Sequence, residues 1–250
     1  MPLFGHDLWG IATRRRVSPE AFAFIAEQET PDALGFRLGS GAEDPTYGLA
    51  LLKVEPMTAT QPCIFLELKE DGSSRCGIYA DRPITCQTYP MSKLGNRVYQ
   101  RETTLCPPGS WSGEDLEDPA WREKLQRLRY CRDVYVEVVA RWNAAVSHFQ
   151  PPEALPARMF CEFVLAVYGE IRRVEDSVGM EGLAAIEREW ASVGARGAGS
   201  APTGEVLVGR VEEPAWISHL RAVRGVIDRF FPELPALPFQ PLVVEAAADR

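Results

Sequence analysis

The sequence has no uninterrupted apolar stretch of about 18 residues, so no transmembrane helix is expected. Its start, MPLFGHDLWGIATRRR, lacks the basic-then-apolar order of a secretory signal, which makes the cytoplasm the expected compartment. Positive charge is scarce: net charge is −8 and pI about 5.1, which argues against nucleic acid as a partner. The one basic run, Arg14-Arg15-Arg16, is short enough to be a solvated surface feature. Histidine is rarer still, and His6, His148 and His219 lie far apart. No glycine-rich loop stands between a strand and a helix, because Gly197-Ala198-Gly199 leads into Pro202, and no serine elbow occurs. None of the six cysteines forms a CxxC pair, which excludes a small zinc finger built from knuckles.

The cysteines themselves are the main signal. In a reducing compartment six of them read as metal ligands plus buried thiols rather than as three disulfides. Cys63, Cys76, Cys86 and Cys106 are separated by 12, 9 and 19 residues. Cys76 follows the polar run Asp71–Arg75, Cys86 follows Arg82-Pro83, and Cys106 precedes Pro107-Pro108. Loops of this kind can each aim one thiolate inward, and four thiolates satisfy a tetrahedral zinc ion or a [4Fe–4S] cluster. Four unrelated buried thiols are the competing reading. Wide spacing without knuckles tips the metal toward [4Fe–4S], with zinc or mononuclear iron as the alternative. Arg75 or Arg82 could balance the negative charge of such a centre, and Tyr79 and Tyr89 could wall it. Cys131 and Cys161 fall on apolar helix faces and read as core.

The expected fold is α+β and mainly helical. Residues 1–17 read as irregular. Ser18-Pro19-Glu20 has the form of a helix start, with Phe22, Ile25 and Ala26 facing inward until Thr30-Pro31. Residues 32–46 read as a loop, 47–54 and 64–68 as strands, 69–75 as a turn, and 96–103 as a third strand. Asp118-Pro119 opens a long helix whose apolar residues, from Trp121 to Phe149, recur every three or four positions. Further helices are expected over about 153–176, 181–193 and 214–231, with a linker at 194–213 and a proline-rich extended tail at 232–250. The division is a cysteine-cluster region, 1–112, and a helical region, 113–250, which could dock a protein partner.

The frame around the cysteines resembles a known family. Cys63-Ile64-Phe65-Leu66, Cys76-Gly77-Ile78-Tyr79 and Arg82-Pro83-Ile84-Thr85-Cys86-Gln87-Thr88-Tyr89-Pro90, followed by a distal Cys106, are similar to the YkgJ-type cysteine-cluster family. The resemblance covers about residues 1–110 and implies a zinc- or iron-chelating domain, a type shared with flagellin lysine N-methylase. That kinship keeps an enzyme of protein lysine methylation as an alternative to a structural or electron-transfer metal protein. The family's proximal CxxCC cluster is missing: before the VSPEAFAFIA segment stands Phe4-Gly5-His6-Asp7-Leu8-Trp9-Gly10. His6 and Asp7 could act as substitute ligands, but so near the terminus they are expected to be mobile. Four cysteines then leave one centre.

Overall fold

The computed structural model describes residues 1–41, 43–54, 62–94, 97–100, 119–196 and 215–232. The expected linker and tail lie almost wholly outside these residues, as does Cys106. The architecture is α+β and mainly helical, with short strands gathered in the N-terminal part.

The long helix is where the sequence put it. Helix α3, Pro119–Phe149, buries Tyr130, Val134, Val138 and Ala145 on the stripe that also carries Cys131, Tyr135 and Trp142. Helix α4, Ala157–Arg196, contributes Phe160, Val164, Val167 and Ile171, and its two halves meet at Gly179, whose φ of 68° a β-carbon would strain. The helices expected over 153–176 and 181–193 are these two halves. Helix α5, Ala215–Arg229, buries Val223, Val226 and Ile227.

The N-terminal part differs from expectation in two places. Residues 1–17 are not irregular: helix α1 spans Gly5–Arg15, and Leu8, Ile11 and Ala12 form its buried face. The expected helix from Ser18 is instead a single 3-10 turn, Pro19–Ala21, followed by strand β1, Ala23–Glu27. Ser18 makes no side-chain capping bond. Fully buried Phe22 ends the turn, and β1 gains a complete ladder of partners along strand β3, Thr46–Leu51. Tertiary pairing overrides a local start signal here.

Strand β2, Phe36–Arg37, pairs with the other edge of β3 inside the expected loop, and residues 1–3 continue that edge. Helix α3 reaches this edge directly. Trp142 donates Nε1–H to the Arg37 carbonyl at 2.7 Å, and Asn143 accepts from Arg37 N–H at 2.8 Å while donating to the Gly35 carbonyl at 2.9 Å. These bonds satisfy a short edge strand that would otherwise expose unpaired backbone. Strands β4, Leu66–Leu68, and β5, Ser74–Cys76, form one hairpin. Strands β6, Met91–Leu94, and β7, Arg97–Gln100, form another, and the expected strand over 96–103 is its second arm. Between them lies the five-residue helix α2, Ile84–Thr88.

One core runs through both parts, from Leu3, Leu8 and Phe36 to Tyr135, Phe160 and Ile227. Helix α1 can enter it only because Gly5 has no side chain. A β-carbon at Gly5 would stand 2.0 Å from the Tyr168 ring, which is itself fully buried. Gly5→Ala is expected to cost about 1–3 kcal/mol by overpacking. Urea denaturation should show a lower midpoint, with the loss reduced in a Tyr168→Leu background that frees the space.

Candidate metal centre

Three of the four expected ligands come from three different local structures. Cys63 sits in an antiparallel bridge with Lys53, just before the turn into β4, where its carbonyl accepts from Leu66 N–H at 2.9 Å. Cys76 ends β5 opposite Leu66, and Gly77 N–H donates to the Phe65 carbonyl at 2.8 Å. A single hairpin therefore brings positions 63 and 76 to the same end. Cys86 arrives on helix α2, whose first turn is held by Cys86 N–H to Pro83 carbonyl at 2.8 Å and whose Thr88 hydroxyl donates to the Ile84 carbonyl at 3.0 Å. All three thiols are free, half-buried, and packed against the main core.

The three thiols feel one another. Burial first, then the neighbouring Cys76, pushes the Cys63 thiol above its ordinary value, although Phe65 N–H donates to its sulfur at 3.4 Å. Burial pushes Cys86 up to about 11, with Cys63, Asp7 and Cys76 adding to the effect. Among the described residues no three His, Cys, Asp or Glu side chains stand close enough to hold a metal as they are. The donor set nevertheless fits a thiophilic metal: three soft ligands share one region, and what opposes ionisation of Cys63 and Cys86 is burial and the neighbouring thiols, both of which a cation offsets.

The neighbouring residues divide differently from expectation. Arg75 pairs with Glu67 at 2.7 Å, and Arg82 lies 3.8 Å over the Tyr79 ring while donating to the Tyr79 carbonyl at 3.2 Å. Tyr79 is 67% exposed, so it lines the rim of an open cavity of about 390 Å³ beside Cys76 and does not seal the site. Cys131 and Cys161 are buried in the helical core at 2% and 4% exposure.

The expectation that His6 and Asp7 are mobile is wrong. Asp7 is buried, and its two carboxylate oxygens accept from Phe4 N–H at 3.0 Å and from Ile84 N–H at 2.8 Å. The second bond fastens the start of the Cys86 helix to α1. Sequence reading took Asp7 for a mobile candidate ligand, and the signal for its burial was the apolar spacing Leu8, Ile11, Ala12 that marks α1 as an inward-facing helix.

Residues 25–107 match the family model CxxCxxCC, described as "Putative zinc- or iron-chelating domain". The match spans about a third of the chain. Comparison with curated proteins and with solved structures found no match for the chain. The matched residues contain all four cysteines of the 63–106 set and none of the closely spaced ones the family's name describes. The match supports metal binding by this segment in general terms, and the family's description covers both zinc and iron.

Burial pushes the Asp7 carboxyl up to about 6 from 3.8, against the pull of its two backbone N–H donors. The folded chain therefore keeps a proton that the unfolded chain has released, and this group's contribution to stability falls as pH rises from about 4 to about 6. That change amounts to about 3 kcal/mol. Asp7→Asn should remove it, so the difference in denaturation midpoint between wild type and variant should change across this window, with the wild type losing ground as pH rises.

Proposed function

We propose that Cys63, Cys76, Cys86 and Cys106 hold one metal centre on four thiolates, and that the centre is a [4Fe–4S] cluster with a structural or electron-transfer role. What supports this reading is the family match over residues 25–107, together with Cys63, Cys76 and Cys86 arriving on a bridge, a hairpin and a short helix, near enough that Cys63 and Cys76 act on the Cys86 thiol, with no knuckle among them. Separate loops suit a cluster that needs a wide cradle. Four cysteine ligands also leave no open coordination position, which favours holding or electron transfer over Lewis-acid chemistry. The open cavity beside Cys76 offers electrons a short route to the surface.

The test is elemental and sulfide analysis with a visible spectrum on protein purified without oxygen. Iron and acid-labile sulfide in equal amounts, with broad visible absorption that bleaches on reduction, is the expected result. A colourless protein with one zinc would replace the cluster by a structural zinc site, and absence of any metal would end the four-thiolate reading.

Cys86→Ser should lower bound metal by about tenfold or more and destabilise the N-terminal part, since metal binding and folding are coupled. Cys161→Ala should leave metal content unchanged. Undiminished metal in Cys86→Ser would remove Cys86 from the ligand set.

A further inference from the structure

Three separate segments bring arginine to the rim of the open cavity beside Cys76. Helix α1 ends on Arg14 and Arg15, where the helix dipole favours positive charge. The 3-10 turn Tyr79–Asp81 meets that end, and Asp81 holds both guanidinium groups. Its Oδ1 lies 2.8 Å from Arg14 Nη1, and its Oδ2 lies 2.8 Å from Arg15 Nη2. The Asp81 side chain is 12% exposed against 56% for Arg14 and 38% for Arg15, so the carboxylate lies beneath and the cations face solvent. Strand β5 adds Arg75, which is 65% exposed and pairs with Glu67 across the hairpin. Arg82, just past the turn, lies over the exposed Tyr79 ring.

Arg15, Arg75 and Tyr79 line the same cavity as Cys76. Four arginines against the carboxylates of Glu67 and Asp81 leave a local excess of positive charge, on a chain whose net charge is −8. The hairpin's other acids, Glu70 and Asp71, sit at its tip beyond the Glu67–Arg75 pair, and Asp71 accepts from Ser73 N–H at 2.8 Å. The run Arg14-Arg15-Arg16, which reads in the sequence as a solvated feature, is thus one edge of a patch whose other members follow Ser74 and Asp81. Only folding joins them. Tyr79, with Arg82 against its face, gives the patch a flat aromatic contact, and Tyr and Arg are the side chains that most often dominate protein–protein contacts.

We propose that this face docks an acidic protein surface, one rich in Asp and Glu. Its role rests on the four-thiolate reading: a partner seated there covers the Cys76 end of that centre, where an electron carrier would stand. Each guanidinium has several N–H donors, so pairing with Asp81 or Glu67 fixes its position and leaves donors for a partner carboxylate. Side chains already held lose less freedom on binding. Charge of this kind speeds encounter more than it deepens affinity, which suits a transient complex. An extended nucleic acid fits less well, because its phosphates would run off the patch onto an acidic chain.

The full chain, with metal assayed on the same sample, is titrated with a fluorescein-labelled peptide of about ten glutamates, and binding is followed by fluorescence anisotropy. Binding is expected at low salt. Raising ionic strength from about 0.01 M to about 1 M, which shortens the screening length from about 30 Å to about 3 Å, should abolish it. Arg15→Gln combined with Arg75→Gln should weaken binding by about tenfold. Arg173→Gln, at an exposed position on α4 paired with Glu170, should leave it unchanged. If the double variant fails to fold, Arg75→Gln alone, at its exposed hairpin position, should lose about threefold. No binding by metal-loaded protein, an equal loss in Arg173→Gln, or unchanged affinity in the Arg75 variants would overturn the proposal. Tighter binding of an oligothymidylate of equal charge would overturn it in favour of nucleic acid. Metal-free protein that binds the peptide normally keeps the docking face and strikes only the four-thiolate reading.

Discussion

The placement of the helix that carries Cys86 depends on one buried carboxylate. Asp7 lies within α1, yet half of its hydrogen bonding is spent on Ile84 N–H, at the start of the helix that carries Cys86. Its other oxygen closes the first turn of α1 on Phe4 N–H. Two backbone donors satisfy a group whose burial works against its charge, so the arrangement holds only while both donors stay in register. Removing either would leave a buried acceptor unpaired, which costs about 1–3 kcal/mol. The start of the chain and the Cys86 helix, 77 residues apart in sequence, are thereby fixed as one unit.

That unit is held in turn by the helical part. Gly5 lets α1 press against Tyr168, and Trp142 and Asn143 of α3 satisfy the backbone of β2. The same sheet carries β1 and β3, and the bridge between Lys53 and Cys63 follows directly from β3. Positions 63, 76 and 86 are therefore traced back, through a short series of hydrogen bonds, to a packed helix. Short strands and a five-residue helix have little stability alone, so this tethering replaces the long elements on which ligands are often placed.

Some of this was legible in the sequence and some was not. The stripe from Trp121 to Phe149 is long and regular, and α3 has the expected limits. Cys131 and Cys161 were legible as core, whereas Cys76 and Cys86, read as loop positions, lie at the end of β5 and within α2, because the Gly, Pro and polar neighbours that suggested loops border very short elements. The segment 18–27 was misread because Ser-Pro-Glu is a strong start signal, while the competing partner, β3, lies more than 20 residues away and contributes nothing to a local pattern. Helix α1 was missed because its clearest marks are Gly5, which usually counts against a helix, and Asp7, whose cap partner lies at residue 84. His6 was read as a mobile candidate ligand for the same reason: Glu175 and Tyr130 become its neighbours only when α3 and α4 pack against α1.

At the cysteine cluster, burial and the neighbouring thiols resist ionisation, so Cys63 and Cys86 stay protonated until something positive draws them together. This favours a metal as the event that completes the site. Helix α1 bears on that event through Asp7, which secures the start of the helix bearing Cys86. A shift of α1 would therefore be felt at the Cys86 thiol, although that thiol lies on a different element 79 residues along the chain.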